Sequence, residues 1–531
     1  MLDALVTLVE QPEEEGTAQN IQYCTDMAMF YLVMALGATN YANTLKQLQQ
    51  LQQNHNDAPP AELSKPPSPP HLYYAQALHY FNRVVQNEDR METSVAVIQI
   101  VLLISIYSSY GQGPIGSSQW QLAGLAMRMA MEIGLHHEPR QPVAPSPEYE
   151  NVRDQRRRVF WTAYVIDISL AYNLGRPPSI GEEHITVRLP HMTKDSALGI
   201  HHVRHRQIQS RIVSHVYAGG RVAMSGTADA TQTITRIQGE LEAWRGELPS
   251  VLQSAGDDME GSDSTSSLLS YPPHYWERLY HGTSFVLHRA SPLSPQPSPA
   301  SLEQCVRAAG AYLDCMLEVV RHSHVPLSWM LVQGVLFAGL SMLITARTRF
   351  QTLSQHAPET VRLLLVELPM WTRRCSICLA VMNERWSLNR SRNRSEEDLL
   401  SQLEKQFEAL AGDTLSLITA SVLGSSTGAT KSSSTKTAMT TMLPPAQASP
   451  TYVFAPAETD LASSDAQLQQ DILQNTDPTL MGTNDWDHLQ DFREFLGIDG
   501  AYTFWDIFPT TDSDFTINES GQGDIPRFPP W

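Results

Sequence analysis

Residues 151–180 read NVRDQRRRVFWTAYVIDISLAYNLGRPPSI, and this stretch decides the fold class. From Val159 to Leu174 nearly every position is apolar, the composition of a central helix buried on all sides. Asn151 to Asp154 supply capping residues at its start. Gly175 stands where a left-handed residue stops a helix, and Pro177–Pro178 prevents resumption. One carboxylate, Asp167, falls inside the apolar run. A buried carboxylate must be paired or hydrogen-bonded, and Arg176 or Arg128 are the candidate partners.

Just upstream, QWQLAGLAMRMAMEIGLH at 119–136 carries small residues at Ala123, Ala126, Ala130 and Gly134, about one per turn. Such a stripe lets a second helix approach closely, with Trp120 and Ile133 anchoring its ends. Farther out, helical patterns cover 21–55, 71–107, 203–245, 271–288, 299–322, 325–353, 358–390 and 395–422. Alternating strand patterns bounded by turns are nearly absent, so the expected fold is all-α. The organisation reads as an N-terminal extension at 1–20, a large helical domain at 21–423, a Ser/Thr-rich linker at 424–455 and an acidic tail at 456–531.

The net charge of −19 argues against a basic surface built for a phosphate backbone. Five scattered cysteines (Cys24, Cys305, Cys315, Cys375, Cys378) do not form a disulfide framework and suit a reducing compartment. The start MLDALVTLVEQPEEEG turns acidic and lacks a basic lead into an apolar run, so it does not read as a secretory signal.

Several motifs match a chemistry by spacing but not by context. GQGPIG at 111–116 has the spacing of a dinucleotide loop, yet it follows a helical run rather than a strand. GSSTG at 424–428 has nucleophile-elbow spacing but borders a low-complexity tract. Cys375 and Cys378 are one helical turn apart without the other ligands a zinc site needs, and read as buried apolar residues. His201, His202 and His205, with His136 and His137, have no carboxylate or HExxH context and read as exposed or capping residues. The uncharged segment at 325–346 is long enough to span a membrane, but a helix buried in a large bundle has the same composition.

The combination of Trp120, Gly124, Ala126, Arg128, Ala130, Gly134, Leu135 and His136 with RRRVFW at 156–161 (Arg157, Arg158, Phe160, Trp161) is specific. Asp167, GRPPSI at 175–180 (Gly175, Arg176, Pro177) and the closing I-x-V-x-LP ending in Leu189 and Pro190 complete it. In this order and spacing the residues resemble the middle homology region of fungal-specific transcription factors of the binuclear zinc-cluster class. The resemblance extends less sharply over 20–420, including SFVLHRASPL at 284–293 and NERW at 383–386. It implies a helical regulatory scaffold, a nuclear location and regulation of transcription, such as activation of a carbon-use or secondary-metabolite pathway. Read by themselves, the RRRVFW arginines are solvated charges at a helix start and the aromatics are core.

The sequence departs from the family pattern at Ile168, where arginine is frequent. It also shows no six-cysteine cluster of the kind with which members usually begin. No catalytic residue, cofactor or metal ligand is therefore assigned. Zinc and DNA contact are expected only from a module outside this chain or from a partner chain, and a homodimer is among the assemblies the resemblance allows. The runner-up readings are a co-regulator working through a partner, or a membrane-associated protein using 325–346. An enzyme is not expected.

From Pro456 to Trp531, fifteen acidic residues face two basic ones. The acids interleave with Trp486, Phe492, Phe495, Leu496, Phe504, Trp505 and Phe508, the pattern of an activation segment that docks on a transcriptional coactivator.

Overall fold

The computed structural model describes residues 18–53, 69–85, 94–110, 117–139, 146–218, 227–256, 273–322, 328–356, 358–388 and 394–427. The acidic tail and its aromatic residues, the GQGPIG loop and the linker from 428 onward lie outside them. The packing described below lies within the Met1–Leu423 part of one compact unit. Among the described residues every regular element is helical and no strand occurs.

The first layer contains α1 (Ala18–Gln53), α2 (Pro70–Val85), α3 (Val95–Ser109), α4 (Ser117–Glu132) and α5 (Pro147–Leu174). Helix α5 is longer than its apolar run. It begins at Ser146, whose side chain accepts the Tyr149 amide, with Pro147 in the first turn where its missing N–H costs nothing. The expected cap at 151–154 is thus one turn inside the helix. Its end is as expected: Gly175 has φ +64° and returns its N–H to the Ala171 carbonyl. Phe160, Ala163, Tyr164 and Ile168 are fully enclosed, packed with Ala126, Met127 and Ala130 of α4 and Ile98 of α3.

The small-residue stripe of α4 holds for Ala123, Ala126 and Ala130, all without exposed surface. Gly134 does not extend it. Its φ of +71° places it in the turn that ends the helix, a conformation glycine adopts without steric cost.

The second half contains α6 (Lys194–Ile212), α7 (Thr227–Gly256), α8 (Pro273–His288), α9 (Pro299–His322), α10 (Trp329–Thr348), α13 (Leu368–Leu388) and α14 (Arg394–Thr427), with the short α11 (Phe350–His356) and α12 (Pro358–Arg362) between them. The helical pattern over 203–245 is divided between α6, which runs on into a π-helical turn at Val213–Tyr217, and α7. Helix α14 runs four residues into the expected linker, so Gly424–Thr427 is helical and not an elbow between strand and helix.

Two helical segments, Ile21–Tyr41 and Trp329–Thr348, are long and apolar enough to cross a membrane. The second is packed within the bundle, with 83% of its most apolar window buried. A Cβ at Gly339 would stand 2.7 Å from both Cys375 Sγ and the Phe407 ring, so the missing side chain admits α13 and α14. Cys375 and Cys378 are wholly buried, as expected, and burial pushes the Cys378 thiol up to about 12.

Candidate functional site

The signature residues assemble into two linked polar clusters on α5. At its C-terminal end Asp167 has no exposed surface. It accepts the Ser179 amide at 2.8 Å and the Ser179 hydroxyl at 2.6 Å. Burial raises its carboxyl above the usual range, opposed by those two bonds and by the nearby Arg128 charge. The expected partner is therefore corrected: Ser179, within the GRPPSI turn, satisfies Asp167, and Arg128 acts only through space. Arg176 lies elsewhere, with its guanidinium 4.6 Å over the Trp120 ring. At Gly124 a Cβ would stand 3.4 Å from Arg128 Nη1 and 3.5 Å from Ser179 Oγ, so this glycine borders the same cluster.

At the N-terminal end Arg157, expected to be solvated, is buried, and so is Arg153 one turn before it. Arg153 and Arg157 keep 3% and 4% of their side-chain surface, and both donate to Glu138. The Arg188 amide adds a third donor at 3.0 Å. Burial alone would raise Glu138, but the bonds from Arg157, Arg188 and Arg153 outweigh it and hold the carboxyl at about 2. Of the quoted arginines only Arg158 is substantially exposed, paired with Asp154 at 2.8 Å. Trp161 Nε1 donates to the Arg188 carbonyl at 2.9 Å, and the Thr186 and Val187 amides donate to the His136 carbonyl at 2.9 and 3.1 Å. The segment ending in Leu189 and Pro190 is thereby tied to the turn at Gly134, Leu135 and His136. Pro177 is exposed beside these contacts and makes none of them. Glu138 and Arg153 were missed in the sequence because no local period links a loop acid to a helix fifteen residues on.

A third cluster contradicts the expectation of exposed histidines. His201 and His205 are 1% and 0% exposed. His201 stacks on Trp244 of α7 at 4.6 Å, and His202 lies 4.8 Å from the Trp276 ring of α8. Tyr275 Oη and His202 Nε2 are 3.1 Å apart, and His205 Nε2 meets Thr283 Oγ1 at 2.9 Å. Burial lowers His201 to about 4, and lowers His202 to about 3 with help from Arg206 and Arg278. These rings are neutral at physiological pH. Among the described residues no three His, Cys, Asp or Glu side chains converge as a metal site would require. The sequence signal available was the spacing of His201, His202, His205 and Arg206, which puts all four within about a turn and a half of one helix.

A separate cleft of 410 Å³ is lined by Gln238, Glu242, His288, Ser301 and Gln304 among others. Its polar groups bond to one another: His288 bridges Ser301 Oγ and Gln238 Oε1, both at 3.2 Å.

Residues 7–197 match the fungal specific transcription factor domain. Protein STB5 of Saccharomyces cerevisiae is 27% identical over 52% of this chain and 36% of its own length. Pyrimidine pathway regulatory protein 1 of the same yeast is 23% identical over 51% of this chain and 30% of its own. The positive regulator of purine utilization of Emericella nidulans is 25% identical over 24% of this chain and 14% of its own. The chain thus spans about a third of the length of the first two relatives. No solved structure matches it. The signature residues that form the two clusters on α5 thus lie within the segment, residues 7–197, that is similar to the fungal specific transcription factor domain.

Proposed function

We propose that this chain is the regulatory part of a pathway-specific transcriptional activator that works in the nucleus. The observation that carries the reading is the buried signature scaffold at 120–190, in a chain whose relatives are named as transcription regulators. A regulatory role fits relatives that are named as transcription regulators. DNA is reached through a zinc-bearing module outside this chain or through a partner, because the net charge of −19 is unsuited to phosphate binding. The acidic aromatic segment from Trp486 to Phe508 contacts the coactivator machinery, its charges keeping the aromatics soluble until they dock.

The test is a fusion of residues 1–531 to a foreign DNA-binding domain, read on a reporter gene. Activation above the bare domain, lost when 484–531 are deleted, is the expected result. Activation unchanged by the deletion removes the tail assignment, and no activation by any fusion removes the activator reading.

A further inference from the structure

Large apolar side chains that reach solvent are mostly scattered over this fold, but Leu365, Val366 and Met370 stand together. Val366, at 59%, is the most exposed of them among the described residues. Singly exposed apolar groups are ordinary, whereas a contiguous patch rimmed by polar residues marks a contact surface. The patch arises from a local irregularity. Between α12 and α13 the backbone makes a π-helical turn, Leu363–Glu367, closed by the Leu368 amide on the Leu363 carbonyl. Pro369 follows and has no N–H to give to a carbonyl one turn back. Leu363, Leu364, Leu368 and Trp371 are buried on the inner side, where Trp371 packs against Gly310 of α9. The widened turn adds a residue to the helical repeat, so Leu365 and Val366 leave together on the outer side, with Met370 a turn later. Such turns are rare and recur at functional positions.

The charge around the patch has one sign. Arg362 and Arg373 stand exposed at its two ends, about three turns or roughly 16 Å apart along the axis. Among the described residues no carboxylate pairs with either. The acid between them, Glu367, is half-buried and held by Arg307 of α9 at 3.3 Å, and the neighbouring Arg374 is held by Asp314. An apolar face closed at both ends by cations is complementary to an acidic amphipathic segment. An anionic bilayer offers the same chemistry, but it would repel the rest of a chain whose net charge is −19. A short acidic helix avoids that repulsion by meeting this face alone.

We propose that the outer face of 362–373 docks an acidic amphipathic helix of a separate protein. The partner's apolar stripe covers Leu365, Val366 and Met370, and its carboxylates, about three turns apart, meet Arg362 and Arg373. Two helices lying side by side bury such a stripe at an axis separation of about 8–10 Å. Apolar burial supplies the affinity, and the two charges select the partner and its position. The face lies outside residues 7–197 and stands whether or not the transcriptional reading does, since its test reads binding.

The 531-residue chain is titrated into a fluorescein-labelled helical peptide of about fifteen residues, with leucines along one face and glutamates beside them, at low ionic strength. An otherwise identical peptide with lysines in place of the glutamates is the comparison probe. Anisotropy should show saturable binding of the glutamate peptide, at least about fivefold tighter than the lysine peptide. Arg362→Glu combined with Arg373→Glu should reverse that preference, and Val366→Asp should weaken binding by about tenfold or more. The three substituted side chains are exposed, so both variants should keep the wild-type circular dichroism and thermal midpoint. No saturable binding, equal binding of the two peptides, or binding unmoved by the substitutions would each overturn the proposal. Other occupants of the face would overturn it too. They would show as co-sedimentation with phosphatidylserine vesicles lost in the charge-reversed variant, as self-association lost in Val366→Asp, or as peptide binding only after removal of residues 484–531.

Discussion

Replacing Glu138 by glutamine removes the one negative charge on which Arg153, Arg157 and the Arg188 amide converge. Arg153 retains Glu150 at 3.0 Å, whereas Arg157 is left with the His191 ring at 3.4 Å. The displacement of Glu138 from 4.5 to about 2 corresponds to about 3 kcal/mol at neutral pH. Its side chain is 17% exposed, so solvent screening brings the expected cost of Glu138→Gln to about 2–3 kcal/mol. The sign with pH follows from the folded value lying below the unfolded one. The contribution is complete above pH 5 and is lost as pH falls from 4.5 toward 2. Urea unfolding followed by circular dichroism, on wild type and variant from pH 7 to pH 3, isolates this group from the other carboxylates. The stability gap should fall to about half by pH 3. A gap under about 0.5 kcal/mol at pH 7, the range of ordinary surface substitutions, would refute the reasoning. So would a gap that does not narrow with acid.

Two further substitutions test the packing and the buried acid. Gly310→Ala would drive a Cβ into the Trp371 ring where α9 meets α13, and should destabilise by about 1–3 kcal/mol or prevent soluble expression; a wild-type denaturation midpoint would show that α13 does not sit there. Asp167→Asn leaves one carbonyl oxygen for the two donors of Ser179 and should cost about 1–2 kcal/mol. Ser179→Ala should cost a similar amount, and the double variant should cost less than the sum of the two in a urea double-mutant cycle. Additive effects would separate the two residues.

The all-helical class was legible in the sequence because it rests on local signals. The apolar run from Val159 to Leu174, the stop at Gly175 and the small residues Ala123, Ala126 and Ala130 all occupy the places their spacing indicated. The start of α5 was misplaced because Ser146–Pro147 lies a turn before the apolar residues that drew attention, and a cap is read from its own two or three residues. The break between α6 and α7 escaped for a related reason, since both sides carry a helical period and the period alone does not mark the π-helical turn at Val213–Tyr217.

By itself the sequence determined that the chain folds as helices, where the central one stops, and which signature it carries. Only the tertiary structure decided which charges meet. Glu138 finds Arg157 across nineteen residues, Asp167 finds Ser179 across twelve, and His205 finds Thr283 across seventy-eight. Helical periodicity is written within a few residues, whereas these partners are brought together by turns folding back on α5 and by the packing of α6 on α8, contacts that no local pattern encodes.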